Sequence, residues 1–222
     1  MGHLGKWENR LEAWSFLKFW KHHYEDVANK VEALAPYIPH RSLWFKAFEL
    51  CPPDRVKVVI LIENPHLKKE HHHGLALSVP ASVAPLPVQT RAFLDELHST
   101  FPGIKARNGD LSSLGERGVL LLNQRLTASS KLGAPHSTVG WDKLIFEVLR
   151  YLSTEREGIV FVLIGDGAQA FQAALDGDKH CIILAPHPSP LAAIGGDSFS
   201  SARIFARAYE YNPELGMDYW RL

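Results

Sequence analysis

The chain has only two cysteines, Cys51 and Cys181, in 222 residues. That scarcity excludes a disulfide-stapled scaffold and any cysteine-rich zinc module, and it favours a reducing, cytoplasmic setting with Cys181 buried in an apolar strand. Net charge is absent too: 24 basic residues balance 24 acidic ones. No global field of the kind that drives tail-mediated nucleic-acid binding exists, so any contact with a polyanion must be local. Residues 1–30 carry Trp, Glu, Lys and His throughout, without the uninterrupted apolar stretch of a signal peptide or a membrane span, so a soluble protein is expected. Internal repeats, low-complexity tracts and long linkers are missing as well. One domain over residues 1–222 is therefore expected, with a helical segment over about 7–50 packed on the remainder.

Four apolar runs are present instead, at 56–62, 118–123, 158–164 and 181–184. Each lacks polar alternation and is therefore suited to burial on both faces, as in a parallel sheet covered by helices. Between them lie stretches with helical spacing. Trp7, Leu11, Trp14, Leu17, Trp20, Tyr24, Val27 and Val31 step by three and four, which predicts one or two helices over 7–35 with the aromatics in the core. Further helices are expected around 43–50, 89–99, 141–152, 168–175 and 198–210. This alternation predicts an α/β fold: a three-layer α/β/α domain around a central four-stranded, mainly parallel sheet.

In such sheets ligands bind beyond the carboxyl ends of the strands. The residues that fall there carry chemistry: Glu63-Asn64-Pro65-His66 after the first strand, Asn123 at the end of the second, Gly165-Asp166 after the third, and Pro186-His187-Pro188-Ser189-Pro190-Leu191 after the fourth. Prolines stiffen the last loop and lower the entropy lost in presenting a polar ring and an apolar tip. A local basic run, Lys68, Lys69 and His71–His73, lies downstream of the first. It has no recognisable metal-ligand spacing, and no metal or cofactor is expected.

Taken together, these segments resemble the uracil-DNA glycosylase superfamily, with order and spacing similar to its family 1. Val56–Pro65 followed by His73-Gly74-Leu75-Ala76-Leu77-Ser78-Val79 resembles the water-activating motif and the segment after it. Gly118–Asn123, with His136 and Gly140-Trp141, resembles the uracil-recognition strand, Gly165–Gln169 the Gly-Ser loop, and His187–Leu191 the DNA-intercalation loop. The resemblance implies an enzyme that flips a nucleotide out of DNA and hydrolyses its N-glycosidic bond, leaving an abasic site. It further implies that His187 stabilises the departing base, Asn123 reads its pairing edge, and Leu191 fills the gap in the stack. Ser189, Pro188, Gly165 and Asp166 would then contact DNA.

Five positions depart from the family 1 pattern: Asp166 stands where the family has a phosphate-binding serine and Val88 near another, and the remaining three bear on the chemistry and the pocket. Asn64 stands at the carboxylate position, and Ile62-Glu63-Asn64-Pro65 is similar to the Asn-Pro motif of the mismatch-specific uracil and thymine glycosylases, where asparagine positions the water. Glu63 is a second catalytic candidate, although neighbours at a strand end usually point apart. His66 replaces the tyrosine that closes the pocket against a C5 substituent, and Leu77 replaces the aromatic stacking partner. The expectation is a reshaped pocket selective for C5-modified pyrimidines. Because such bases mark some bacteriophage genomes, a role in antiviral defence is a further hypothesis. The alternatives are ordinary uracil repair, a catalytically silent DNA- or protein-binding module, and an unrelated α/β enzyme.

Overall fold

A computed structural model describes residues 11–131, 133–188 and 198–222. Four strands form the central sheet: β2 (Val58–Ile62), β3 (Val119–Asn123), β6 (Val160–Ile164) and β7 (Cys181–Ala185), in the order β3-β2-β6-β7. Every pairing in it is parallel, and the registers Ile62↔Asn123, Ile62↔Ile164 and Ile164↔Ala185 bring all four carboxyl ends level. Every residue of β2, β3 and β6 is buried, as expected of strands covered on both faces. Of the two edge strands, β3 is fully buried while β7 is covered less: Leu184 is 38% exposed. Cys181 is consequently half-buried rather than buried, and both cysteines are free thiols.

The helices are α1 (Lys18–His22), α2 (Tyr24–Ala33), α3 (Lys46–Leu50), α4 (Val88–Thr100), α5 (Ser112–Glu116), α6 (Trp141–Glu155), α7 (Asp166–Gln169) and α8 (Ile204–Tyr211). The helical pattern in the N-terminal third is realised as a 3₁₀ turn at Glu12–Trp14 followed by α1 and α2. Its aromatics are core: Trp14, Phe19 and Tyr24 are buried, joined by Trp44, Phe45 and Trp141 in a web of edge-to-face contacts. A small second sheet, β1 (Tyr37–Ile38), β4 (Ala128–Ser129) and β5 (Ala134–Pro135), ties this cap to the segment after β3. The C-terminal helical stretch is split where Arg203 adopts φ 48°, so a 3₁₀ turn at Phe199–Ala202 precedes α8.

Two buried polar clusters brace the layers. Lys46 Nζ donates to His73 Nε2 at 2.8 Å, His73 Nδ1 donates to Ser78 Oγ at 2.7 Å, and Ser78 Oγ accepts from the Leu111 amide at 2.9 Å, locking the loop after β2. On α4, the buried Glu96 carboxylate accepts from the Ile204 and Phe205 amides at the start of α8, while Oε2 has no partner among the described residues. Burial pushes this carboxyl up to about 7. No helix is long and apolar enough to cross a membrane, among the described residues.

Candidate active site

The level strand ends continue their pairing for a short distance. Gln124 and Arg125 donate their amides to Ile62 O at 2.8 Å and Glu63 O at 3.1 Å, and Gly165 donates to Ala185 O at 2.9 Å. This extension brings the loops after β2, β3, β6 and β7 together. Gly165 turns at φ +82° and ψ 162°, a region essentially restricted to glycine, and a Cβ there would lie 3.5 Å from His187 Cβ. The backbone after β6 therefore runs directly alongside His187.

His187 is half-buried, and burial lowers its pKa from the ordinary imidazole value against the opposing pull of the Glu63 charge. The ring is thus neutral at pH 7 and offers a single N–H donor, suited to an oxygen that gains negative charge. Glu63 and Asn64, expected to point apart, are instead gathered by one group. Arg125 Nη1 donates to Glu63 Oε1 at 2.5 Å and to Asn64 Oδ1 at 2.9 Å. Gly167 at the start of α7 makes room for this arrangement, since a Cβ there would lie 2.7 Å from Glu63 Cγ.

Asn64, His66, Leu77 and His187 line one cleft of about 850 Å³, whose far wall is the proline-rich segment Pro85–Val88 and whose rim includes Lys68. Leu77 is buried with φ 62°, an uncommon conformation for a leucine. Its carbonyl accepts from Thr90 Oγ1 at 2.8 Å, and the same Thr90 oxygen lies 3.3 Å from His66 Nε2. Since the hydroxyl proton is committed to Leu77, the His66 nitrogen carries the hydrogen. Burial, followed by the neighbouring His71 and His72, lowers the His66 pKa to about 4.

Asn123 does not reach this cleft. It lines a separate chamber of about 10 Å³ with His71, His72, His73 and Leu126, and Pro65, His66 and His71 border both spaces. The chamber has room for roughly one water molecule. His66 and His71, edge-to-face at 5.8 Å between ring centres, form the partition. Strand topology places Asn123 beside Ile62, level with the other strand ends.

Of the other site residues expected from the sequence, Gly165 contacts His187, Asp166 is exposed at the start of α7, and Pro188 is buried beyond His187. Ser189 and Leu191 lie outside the described residues. Arg125, Thr90 and His71 were not among the expected site residues. Two of them carried a signal: His71 as part of the local basic run, and Arg125 as a cation two positions beyond a buried strand's terminal asparagine. A larger hollow of about 950 Å³ between α6 and the 3₁₀ turn Ala170–Ala174 is lined by Phe146, Phe171 and Arg150. Its lining includes the amide of Gln124 and the carboxylates of Asp142 and Asp176 but no histidine. Among the described residues no cluster of three or more His, Cys, Asp or Glu side chains is arranged to hold a metal ion.

Comparison with known proteins points the same way. No family model matches the chain. It is 36% identical over 178 residues to a uracil-DNA glycosylase of Campylobacter jejuni, covering 80% of this chain and 75% of the relative. Identity to that of Dichelobacter nodosus is 38% over 186 residues, covering 83% and 79%. Among solved structures, the uracil-DNA glycosylase of mimivirus superposes with a TM-score of 0.80 at 21% identity, covering 97% of this chain and 86% of that one. That likeness concerns the fold.

Proposed function

Because the chain belongs to the uracil-DNA glycosylase family and is a DNA glycosylase, a hydrolase of N-glycosyl bonds, we propose that it excises a pyrimidine carrying a substituent at C5. The silent binding module considered from the sequence is set aside by this membership. The observation that carries the substrate reading is the position of His66, the shared wall between the Asn123 chamber and the open 850 Å³ cleft. A flipped base that presents its pairing edge to Asn123 must displace or pass this imidazole. Its C5 side would then face the cleft rather than a closed aromatic wall. Leu77, in place of a flat stacking partner, leaves recognition less dependent on an unencumbered ring face.

In this reading the C1′–N bond breaks with its electron pair leaving on the base, and the neutral His187 donates a hydrogen bond to the oxygen that gains charge. Asn64 holds the water that attacks C1′, and water supplies both the hydroxyl retained on the sugar and the proton lost to solvent. No redox carrier is needed. DNA is the macromolecular partner, and the Asn-Pro water motif likens the site to the mismatch-specific branch. Removal of hypermodified pyrimidines would suit destruction of invading phage DNA.

A second reading, excision of plain uracil, is favoured by the names of relatives at 36–38% identity. Matched oligonucleotides bearing uracil, 5-hydroxymethyluracil, 5-hydroxymethylcytosine or its glucosylated form, followed by alkaline cleavage, separate the two. Preference for a C5-substituted base, lost in His187→Ala, is the expected result. Preference for uracil overturns the C5 reading.

A further inference from the structure

Arg125 is an unusual neighbour for Asn64. The backbone bond from Arg125 N to Glu63 O, 3.1 Å, sets its Cα beside the residues that follow β2. From there a single guanidinium nitrogen, Nη1, reaches Glu63 Oε1 at 2.5 Å and Asn64 Oδ1 at 2.9 Å, with the arginine side chain 20% exposed. Nη1 carries two hydrogens, so each oxygen can receive one. Pairing with Glu63 would satisfy the charge by itself; the second contact fixes something else.

A free asparagine amide can turn over with little change of shape, exchanging an acceptor for a donor at the same place. A guanidinium has donors alone and therefore accepts only the orientation with Oδ1 toward it. This leaves one lone pair of Oδ1 for a water proton and directs Nδ2 away from Arg125. The distinction matters because a water must give hydrogens to its holder in order to aim a lone pair at C1′. A turned amide would aim the wrong end of the water.

We infer that Arg125 is a positioning residue for hydrolysis, locking the Asn64 amide in its water-accepting orientation while holding Glu63 as a neutralised partner opposite His187. The inference rests on the reading of Asn64 as the residue that holds water. The Arg125 charge bears on a second group: Glu63 acts on His187 through its charge, and Arg125 is the ion-pair partner of that same carboxylate. Loss of Arg125 would free the carboxylate to favour protonated His187, which cannot accept the same neutral-donor role.

The test is a double-mutant cycle under single-turnover conditions on duplex DNA bearing uracil and, separately, 5-hydroxymethyluracil, using whichever is cleaved. Arg125→Met is expected to lower the maximal rate about 10- to 100-fold with half-saturation changed by no more than about twofold. In an Asn64→Ala background the same change should cost less than about threefold, because its target is gone. The acid limb of the rate profile should move to higher pH in Arg125→Met and stay in place in Arg125→Lys, which keeps the charge but not the fork. Arg125→Lys should recover only part of the rate, and it serves as the readout if Arg125→Met does not fold. Equal losses in both backgrounds, or a wild-type rate in Arg125→Met, overturn the inference alone. A wild-type rate in Asn64→Ala overturns it together with the role of Asn64.

Discussion

Thr90 braces His66 from behind the cleft: its hydroxyl donates to the Leu77 carbonyl at 2.8 Å and its oxygen accepts from the His66 ring at 3.3 Å. One side chain of α4 thus holds both the partition between the two spaces and the leucine whose φ is 62°.

Thr90→Val keeps the shape and removes both bonds. Leaving the buried Leu77 carbonyl unpaired should cost about 1–3 kcal/mol, measured as a shift in urea unfolding. With His66 no longer tied back, the ratio of kcat/KM for C5-substituted over plain substrate should change by more than about threefold. An unchanged ratio would mean that the imidazole does not set the limit at C5.

Asn64→Asp places a carboxylate beside Arg125 Nη1, which holds it ionised. A general base is worth typically 10²–10⁴-fold, so a rate increase of roughly tenfold or more is expected, the arginine having spent part of its basicity. Asn64→Ala should move the rate the other way. Matched rates in all three proteins would locate the water elsewhere.

Gly165→Ala adds a methyl group that has room beside His187, at 3.5 Å, but forces alanine to φ +82°. The expected outcome is a loss of about 1–3 kcal/mol in stability. Displacement of His187 should add a fall in kcat larger than any rise in KM. Retained kcat at reduced stability would show that the loop tolerates the shift.

Stability should respond to pH through two opposed sets of groups. The folded state holds the Glu96 carboxyl at about 7, above its ordinary 4.5. Its contribution is therefore complete below pH 4.5 and lost as pH rises through 7, so Glu96→Gln should stabilise the protein above pH 7 by about 1–3 kcal/mol. His66 and His72 are held at about 4, below the ordinary 6.5, so the unfolded chain takes up more protons between those values. Stability should accordingly fall as pH drops from 6.5 to 4 on their account, with a shallower fall in His72→Gln. Urea midpoints across pH 4–9 separate the two.

The sheet was legible because Val58–Ile62, Val119–Asn123 and Val160–Ile164 are apolar on both faces and alternate with helical stretches, a combination suited to a parallel sheet covered by helices. The degree of cover was not: Val119–Asn123 and Cys181–Ala185 are both edge strands with similar apolar runs, yet the first is fully buried and the second leaves Cys181 half-buried. The two-residue strands Tyr37–Ile38, Ala128–Ser129 and Ala134–Pro135 are too short to leave a periodicity. At the site, the gathering of Glu63-Asn64, Gly165 and His187 follows from strand ends. The partition by His66 and His71, and the reach of Arg125 to two oxygens, depend on rotamers, which spacing does not encode.

The cleft rim has a consequence for how the protein meets its polymer. Lys68 is the single lysine or arginine among the described residues that line the cleft, and Glu70 stands beside it. Affinity driven by counterion release falls with salt roughly in proportion to the phosphates neutralised. A cleft with one cation releases few counterions of its own, so the part of DNA binding made inside it should change little with ionic strength, leaving any salt dependence to cations outside it such as Lys69.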